Sequence, residues 1–569
     1  MFKDLGYPKY KKIEKKFKIR ETEILDGLNK FNDFFIYKLD KNISIYNRVC
    51  DHAGGKLISK DNKIVCPNHY WVFNPAKGKY ENDIKKKKID YNKIDGNISF
   101  KIEKKIPNIL KIKKEISAEI SIRFFNHAFM LIKTKNFKFA TDPWAIGPAF
   151  NNGWWLKNRT KKDWLEELNS CDFIFISHNH PDHLHPFTLK KIRKNIEIIV
   201  PNFKSDSTGL ILKDLGFNNI RRLDFAKQYQ FNNTNLVLSI LKSGDFREDS
   251  GVYFSIGNFT ALFDVDANSI NYLNIPKTTL YASAFGGGSS GYPLMFNNYN
   301  LKEQIKISKK DKNLTKLKNQ KNLSIIKPKF FIPYASFFIE KAKRDNRVFR
   351  YNQKNEIKDY NSICNKYKVK LLNVENFDEY IFKNEKLISS KKIKKKYFKD
   401  LDVREYILRT KKNFYFIDKN YIKKYFINSN YLDNLKLFVS LTNDNFKIQK
   451  FNFEVDFSHS LIRYKEINSK INFDIGKNLE SPFKKQLYLK IRKESFLYTI
   501  YNKLPWDDIL IGFQAQVYRN PNIYNANFWH HFCNFYVSKK YVRSETKCNA
   551  CKVFSHFVDN DIYKNQLQI

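Results

Sequence analysis

Residues 176–186 read ISHNHPDHLHP, four histidines and an aspartate crowded into one turn that directly follows the apolar run CDFIFIS. Polar side chains beside a core strand cost free energy unless something satisfies them. His178, His180, Asp182, His183 and His185 all carry atoms that bind a transition metal. The turn therefore reads as a metal site placed where a buried strand ends, with Pro181 near the first turn of a following helix.

The flanking sequence has a matching architecture. ISIRFFNHAFMLIKTKNFKFATDPW reads as two or three strands, closed by Asp142, and DWLEEL has helical spacing. LVLSIL and VYFSIGNFTALFDVD are further strands, with helical stretches between them at 187–194 and 207–215. Strands alternating with helices, with ligands at strand ends, predict a layered α/β domain. HxHxDH followed by an aspartate at a distant strand end resembles the metallo-β-lactamase superfamily, which implies an αββα fold. By that resemblance His178 and His180 bind one metal, Asp182 and His183 a second, and Asp266 bridges the two. Members usually add a third histidine to the first metal, yet residues 186–265 contain none. Asp245 and Asp249 are the available substitutes, and a carboxylate there suits iron at least as well as zinc. His127 and His185 read as supporting or loop residues rather than ligands.

Upstream, from Asp33, the pattern becomes short strands, FFIYK, ISIYN and KIVCP, separated by turns. Two Cys/His loops sit among them, Cys50-x-His52 and Cys66-x-x-His69. A structural zinc and a Rieske two-iron two-sulfur cluster both use such pairs. One Cys and one His from each loop fit a cluster with two thiolates on one iron and two imidazoles on the other. Gly54 and Gly55 would let backbone N–H groups approach its sulfurs. These details favour the Rieske reading, whose chemistry is the transfer of single electrons. The expected organisation is an N-terminal arm, helical or loose, over 1–30, an all-β Rieske domain over 31–116, a metallo-β-lactamase-like domain over 117–345 and an α+β region over 346–569. The whole is an α+β multidomain chain.

Length and composition agree with several packed cores: 569 residues, 42% hydrophobic and 16% aromatic. The formal net charge of +45 suggests an anionic partner, although lysine is abundant throughout and a solvated surface explains much of it. No RNA-binding, zinc-knuckle or helix-turn-helix signature accompanies the charge, which argues against nucleic acid. The basic runs IKKKKI at 84–89 and residues 101–114 read first as a linker or a lysine-protected strand edge. A second reading makes them a docking face for an acidic electron donor. No run of about 18 apolar residues spans a membrane and no apolar leader is present, so a cytoplasmic protein is expected. Seven scattered cysteines make no disulfide framework, and Cys548-x-x-Cys551 reads as incidental.

Hydrolysis needs no electrons, so a Rieske centre beside a metal site points instead to reductive activation of O₂, that is, a monooxygenase. The strings DPWAIGPAFNNGWW, ISHNHPDHLHPFTLKKI, SAFGGGSSGYPLMF and GFQAQVYRNPNIYNANFWHHF, in this order behind the Rieske loops, resemble the CMP-N-acetylneuraminate hydroxylase family. The resemblance covers nearly the whole chain. It implies hydroxylation of the N-acetyl group of a CMP-activated sialic acid to N-glycolyl, with O₂ and a small electron donor fed by NAD(P)H, such as a cytochrome b5-like protein, a ferredoxin or a flavin reductase. It places a 2Fe-2S cluster on Cys50, His52, Cys66 and His69 and iron, with zinc as the alternative, at His178, His180, Asp182, His183 and Asp266. It makes Trp154, Trp155, Gly286, Gly287, Gly288 and Arg519 candidates for the nucleotide-sugar pocket. The alternative is a metal-dependent hydrolase of a phosphoester, lactone or amide with a structural or regulatory Rieske centre.

Overall fold

Segments in which every residue is buried, such as Phe173–Phe175, Ser250–Ile256 and Phe259–Val265, need cover on both faces. They receive it inside two eight-stranded sheets of the computed structural model. The structure describes residues 2–51, 56–60, 63–66, 71–81, 83–108, 119–203, 205–243, 248–267, 270, 275–471 and 485–533. The first sheet runs Phe2–Asp4, Tyr229–Phe231, Leu236–Lys242, Ser250–Ile256, Phe259–Val265, Leu280–Ala284, Phe330–Tyr334, Lys370–Leu371. The second runs Ile220–Leu223, Glu197–Pro201, Phe173–Phe175, Lys138–Thr141, Phe129–Lys133, Glu119–Asn126, Glu379–Lys383, Lys386–Lys391.

The two sheets pack face to face through large apolar side chains. Phe139 of one meets Phe254 of the other edge to face at 5.5 Å, and both belong to a core that also holds Phe173, Ile199 and Leu262. Each such ring is worth roughly 1.5–3 kcal/mol of burial. On the outer face of the second sheet, helices Trp164–Asn169 and Ser207–Asp214 press Trp164, Leu168 and Leu212 against Ile174, Ile198 and Val200. On the first, helix Leu301–Ile326 is tied down by Asn322 Nδ2 donating to the Tyr281 hydroxyl at 3.0 Å and Asn319 Nδ2 to the Ala284 carbonyl at 2.9 Å. The layers are therefore helix, sheet, sheet, helix, as the superfamily resemblance implied.

Lys138–Thr141, Phe173–Phe175 and Glu197–Pro201 run parallel, as do Phe259–Val265, Leu280–Ala284 and Phe330–Tyr334. Parallel strands align their carboxyl ends. Asp142, residues 176–186 and Asp266 each follow directly on such an end and meet at one rim of the sandwich.

The first thirty residues differ from the expected helix or loose arm. Phe2–Asp4 is an edge strand of the first large sheet, and Lys9–Arg20 pairs along its whole length with Asn97–Asn108. Alternation decides it: Phe17 and Ile19 share a face, and Phe17 stacks on Phe100 at 5.3 Å and meets Phe34 at 4.8 Å. The pairing partner lies far along the chain, where local spacing cannot show it. Small sheets made of Gly27–Lys30, Phe34–Leu39 and Asn42–Asn47, and of Ile58–Lys60, Lys63–Val65, Val72–Asn74 and Lys79–Tyr80, complete the amino-terminal β region.

The carboxy-terminal region builds a five-stranded sheet in the order Arg463–Ile467, Gln449–Asp456, Leu435–Thr442, Lys485–Arg492, Ala515–Asn520, with its own core of Phe453, Leu487, Phe496 and Trp506. It meets the sandwich backbone to backbone. A Cβ on Gly153 would lie 2.0 Å from the Gly512 carbonyl oxygen, and one on Gly512 would lie 2.0 Å from that of Phe150. Only hydrogen at both positions permits this approach. Among the described residues no helix is long and apolar enough to cross a membrane.

Gly153→Ala is expected to force these two loops apart and destabilise the protein by about 1–3 kcal/mol. A lowered urea midpoint, followed by tryptophan fluorescence, checks it; an unchanged midpoint contradicts the close approach.

Candidate functional site

The rim is organised by Asp142. Its carboxylate accepts from the Ser177 backbone N–H at 2.7 Å and from the Ser177 hydroxyl at 2.7 Å, and it lies 3.1 Å from His183 Nδ1. Because the hydroxyl donates to Asp142, its lone pair takes the Nδ1–H of His178 at 2.9 Å. Two histidines thus have their Nδ1 atoms engaged and their Nε2 lone pairs turned inward, the arrangement that carboxylate and hydroxyl partners impose on metal-binding imidazoles. Ser250 locks the turn from the other sheet by donating to the Ser177 carbonyl at 2.7 Å.

Donor atoms then converge in overlapping groups, each with its atoms within 4.8 Å of one another: His178, His180 and Asp249; His178, His183 and Asp266; His127, Asp182 and His183. His178 Nε2 and His180 Nδ1 lie 2.9 Å apart, and Asp249 Oδ1 is 3.8 Å from the former. On the other side, His183 Nε2 is 3.2 Å from Asp182 and 3.5 Å from Asp266, while His127 Nε2 lies 3.0 Å from Asp182. Asp266 stands between His178 and His183, the place a bridging carboxylate would take. Asp249 takes the side of His178 and His180 where a third histidine was missing; Asp245 lies outside the described residues.

The charges of this cluster are unbalanced without a cation. Burial disfavours the Asp182 carboxylate, yet the neighbouring His183 and His127 hold its pKa well below the usual carboxylate range. Burial likewise opposes a charged His183, but Asp182, Asp142 and Asp266 push its pKa well above that of a free imidazole. His180, although desolvation opposes its charge, is pushed up to about 9 by Asp507. Asp182 Oδ1 is buried with no hydrogen-bond partner among the described residues. A buried carboxylate with one oxygen left without a partner, beside imidazoles that must otherwise carry protons, fits a divalent metal as the resident counter-charge. Mixed nitrogen and oxygen donors suit iron, manganese or zinc.

Two contributors were not visible as ligand partners in the sequence. Asp507, at the start of helix Asp507–Ile511, lies 3.4 Å from His180 Nε2 and orients that ring from the carboxy-terminal region. The Gly153–Gly512 contact brings this helix to the rim. His127, read as a supporting residue, sits among the donors with its ring edge-on to Trp144 at 5.1 Å. His185 turns the other way. Its Nδ1 accepts from the Thr188 N–H at 3.2 Å and caps helix Pro186–Leu189, its Nε2 faces the Pro148 carbonyl at 3.1 Å, and burial pushes its pKa down to about 3, so it stays neutral.

The positions suggested for a nucleotide sugar have structural partners. Trp154 is buried, stacks on Phe338 and donates to the Ile511 carbonyl; Trp155 is buried against Tyr406. Gly286 N–H donates to Ser336, Gly288 accepts from Asn352 at 2.8 Å, and Gly287 takes a φ of +74° beside Thr315. Arg519 lies over Phe296 and donates to Asn522 at 2.8 Å. None of the six belongs to the donor groups around the histidine turn.

In the amino-terminal region, Cys50 and Cys66 are both fully buried in one cluster with Tyr46, Trp71 and Tyr80. Hydrogen bonds close both loops behind them, Leu57 N–H to the Arg48 carbonyl at 2.7 Å and Cys66 N–H to the Trp71 carbonyl at 2.8 Å. Two hairpin loops, each presenting a buried thiol, fit an iron-sulfur cluster. His52 and His69, with Gly54 and Gly55, lie outside the described residues, as do Cys548 and Cys551.

Comparison with known proteins agrees with this geometry. Residues 14–93 match the Rieske [2Fe-2S] domain and residues 121–297 the Beta-lactamase superfamily domain. Over its length the chain is similar to proteins described as cytidine monophosphate-N-acetylneuraminic acid hydroxylase. It is 28% identical to that of Macaca mulatta, covering 90% of this chain and 92% of the relative. It is 27% identical to that of Mus musculus, with 90% and 93% covered. It is 28% identical to that of Xenopus laevis, with 88% of each covered.

Metal uptake by the apoprotein should release protons at neutral pH. His183 and His180 have raised pKa values and are protonated there, and a metal must displace those protons. Affinity should therefore fall as pH falls, which a pH indicator and a chelator competition measure together. Asp142→Asn, which disturbs the hold on both His178 and His183, should weaken metal affinity by about 10–100-fold.

Proposed function

We propose that this relative of the cytidine monophosphate-N-acetylneuraminic acid hydroxylases is an iron-dependent monooxygenase that converts the N-acetyl group of a CMP-activated sialic acid to N-glycolyl. The observation that carries the reading is the pairing on one chain of a Rieske domain with a carboxylate-rich histidine site at the rim of a β-lactamase-type sandwich. The overall reaction consumes the substrate C–H, O₂, two electrons and two protons and yields C–OH and water.

His178, His180 and Asp249 would hold one iron and Asp182, His183 and His127 or Asp266 a second, with Asp266 between them. Cys50 and Cys66, with His52 and His69, would hold the Rieske cluster. Iron held at this rim would supply reductive activation of O₂, with electrons that a Rieske cluster would provide. The carboxylates favour iron over zinc, since hard oxygen donors replace the imidazole of the usual hydrolytic sites.

The chain's own residues supply orientation and protons. Asp142 fixes His183 directly and His178 through Ser177, so both rings present Nε2. Asp507 fixes His180. Beside it, Asp508 is buried, and burial together with the Asp507 charge raises its pKa well above the usual carboxyl range, which favours a proton on its carboxyl. It lines a cavity of about 70 Å³ with Asn179 and Pro181 of the histidine turn. A proton kept there is available to a reaction that needs two. The electron donor is a small carrier fed by NAD(P)H.

Incubation of iron-loaded protein with CMP-N-acetylneuraminate, reductant and ¹⁸O₂, followed by mass spectrometry, tests the reading. One labelled oxygen should appear in the acyl group of the product, and Asp249→Ala should lower the yield by at least about 100-fold. Turnover of the substrate to cleavage products without O₂ or reductant would instead establish the hydrolase.

A further inference from the structure

The reaction proposed above consumes electrons that the chain does not generate, and the Rieske region carries a surface suited to receiving them. A groove of about 840 Å³ opens there, lined by Lys16 and Lys18 of strand Lys9–Arg20, Lys87 and Lys88, and Lys101 of strand Asn97–Asn108. The two basic runs at 84–89 and from 101 onward are near one another in sequence, and the pairing of strand Asn97–Asn108 with Lys9–Arg20 adds Lys16 and Lys18 from far upstream. Its floor is apolar and aromatic, with Phe100 buried and Phe17 and Tyr91 half-buried. Lys16, Lys18, Lys87 and Lys88 are exposed, and among the described residues none has a carboxylate within ion-pair distance. Lys101 does, pairing with Glu14 at 3.1 Å, and Asp90 and Glu103 also line the groove.

The groove borders the strand that leads into the first thiol loop. Asn47, three residues before Cys50, is part of its wall. Lys86, immediately before Lys87, turns inward instead: its ammonium is buried and donates to the Val49 carbonyl at 2.6 Å and to Asp51 at 2.8 Å, the two residues that flank Cys50. Ile89 donates its N–H to the Ile45 carbonyl at 2.8 Å, so the segment that supplies the lysines is stitched to the strand leading to Cys50.

We infer that this groove is the docking site of an acidic one-electron carrier protein, which seats its carboxylates on these four exposed lysines and passes electrons to the cluster through the Cys50 side of the domain. The inference rests on the monooxygenase reading. Exposed lysines on an edge strand also discourage aggregation, and Lys9 and Lys11, on the same strand but outside the groove, serve that purpose equally well. What singles out the four is their convergence from separate segments over an apolar floor next to a cluster loop. Charge complementarity of this kind accelerates encounter by about 10–1000-fold at low salt and loses that advantage as salt rises.

The test uses the full-length protein carrying its cluster, with a reduced plant-type [2Fe-2S] ferredoxin as the acidic carrier and photoreduced deazaflavin as a small reductant without a docking surface. Cluster reduction is followed by EPR. Reduction of the wild type by ferredoxin should be fast at low ionic strength and slow at high. The variant Lys16→Glu/Lys18→Glu/Lys87→Glu/Lys88→Glu should be slowed by at least about tenfold, while Lys9→Glu/Lys11→Glu behaves as wild type. Deazaflavin should reduce all three alike, which establishes an intact cluster. A ferredoxin rate indifferent to salt, or equal in wild type and fourfold variant, overturns the inference. So does salt-dependent binding of a single-stranded oligonucleotide that the fourfold variant loses while ferredoxin reduction is unchanged. If photoreduced wild type gives no Rieske signal, the monooxygenase reading fails and this inference with it; a normal signal without lysine dependence removes the docking site alone.

Discussion

One buried carboxylate holds the rim of the sandwich in order. Asp142 ends one strand, accepts both polar groups of Ser177 and faces His183. Through those contacts it sets the direction of two imidazoles at once. A desolvated carboxylate is costly unless it is fully engaged, so the same bonds that satisfy Asp142 leave His178 and His183 with one ring nitrogen each to offer elsewhere. The convergence of three histidine-carboxylate groups follows from that constraint and from parallel strands that end at the same level.

A second constraint joins the sandwich to the carboxy-terminal region. Gly153 and Gly512 allow two backbones to approach more closely than any side chain would permit. The consequence is chemical, because the helix beginning at Asp507 then reaches His180. Asp508 beside it, buried and next to the Asp507 charge, favours its protonated form more than an exposed aspartate would. The region after 345 is thus part of the site's environment, and it also returns strands Glu379–Lys383 and Lys386–Lys391 to the second sheet.

Much of this was legible in residues close together in sequence. The HxHxDH turn supplied four donors, the strand ending in Asp266 supplied another, and the absence of a histidine downstream pointed to Asp249 or Asp245. The layered fold followed from the alternation of buried strands and helical spacing. What stayed hidden depends on distance along the chain. Asp507 is 327 positions from His180, His127 is 55 from Asp182, and Lys9–Arg20 finds its partner strand at 97–108. Local periodicity carries no information about such pairings. His185 has the chemistry of a ligand but reads in the sequence as a supporting or loop residue, and its ring is engaged in capping a short helix.

The central claim is that the two metal sites act together, the Rieske cluster supplying electrons consumed at the histidine rim. A single-turnover measurement tests it most directly. Iron-loaded protein is photoreduced, excess reductant is removed, and CMP-N-acetylneuraminate and O₂ are added while the Rieske EPR signal and the hydroxylated product are followed. The account expects the signal to disappear as product forms, and both to stall without substrate. Product formation with the reduced cluster left intact would contradict it.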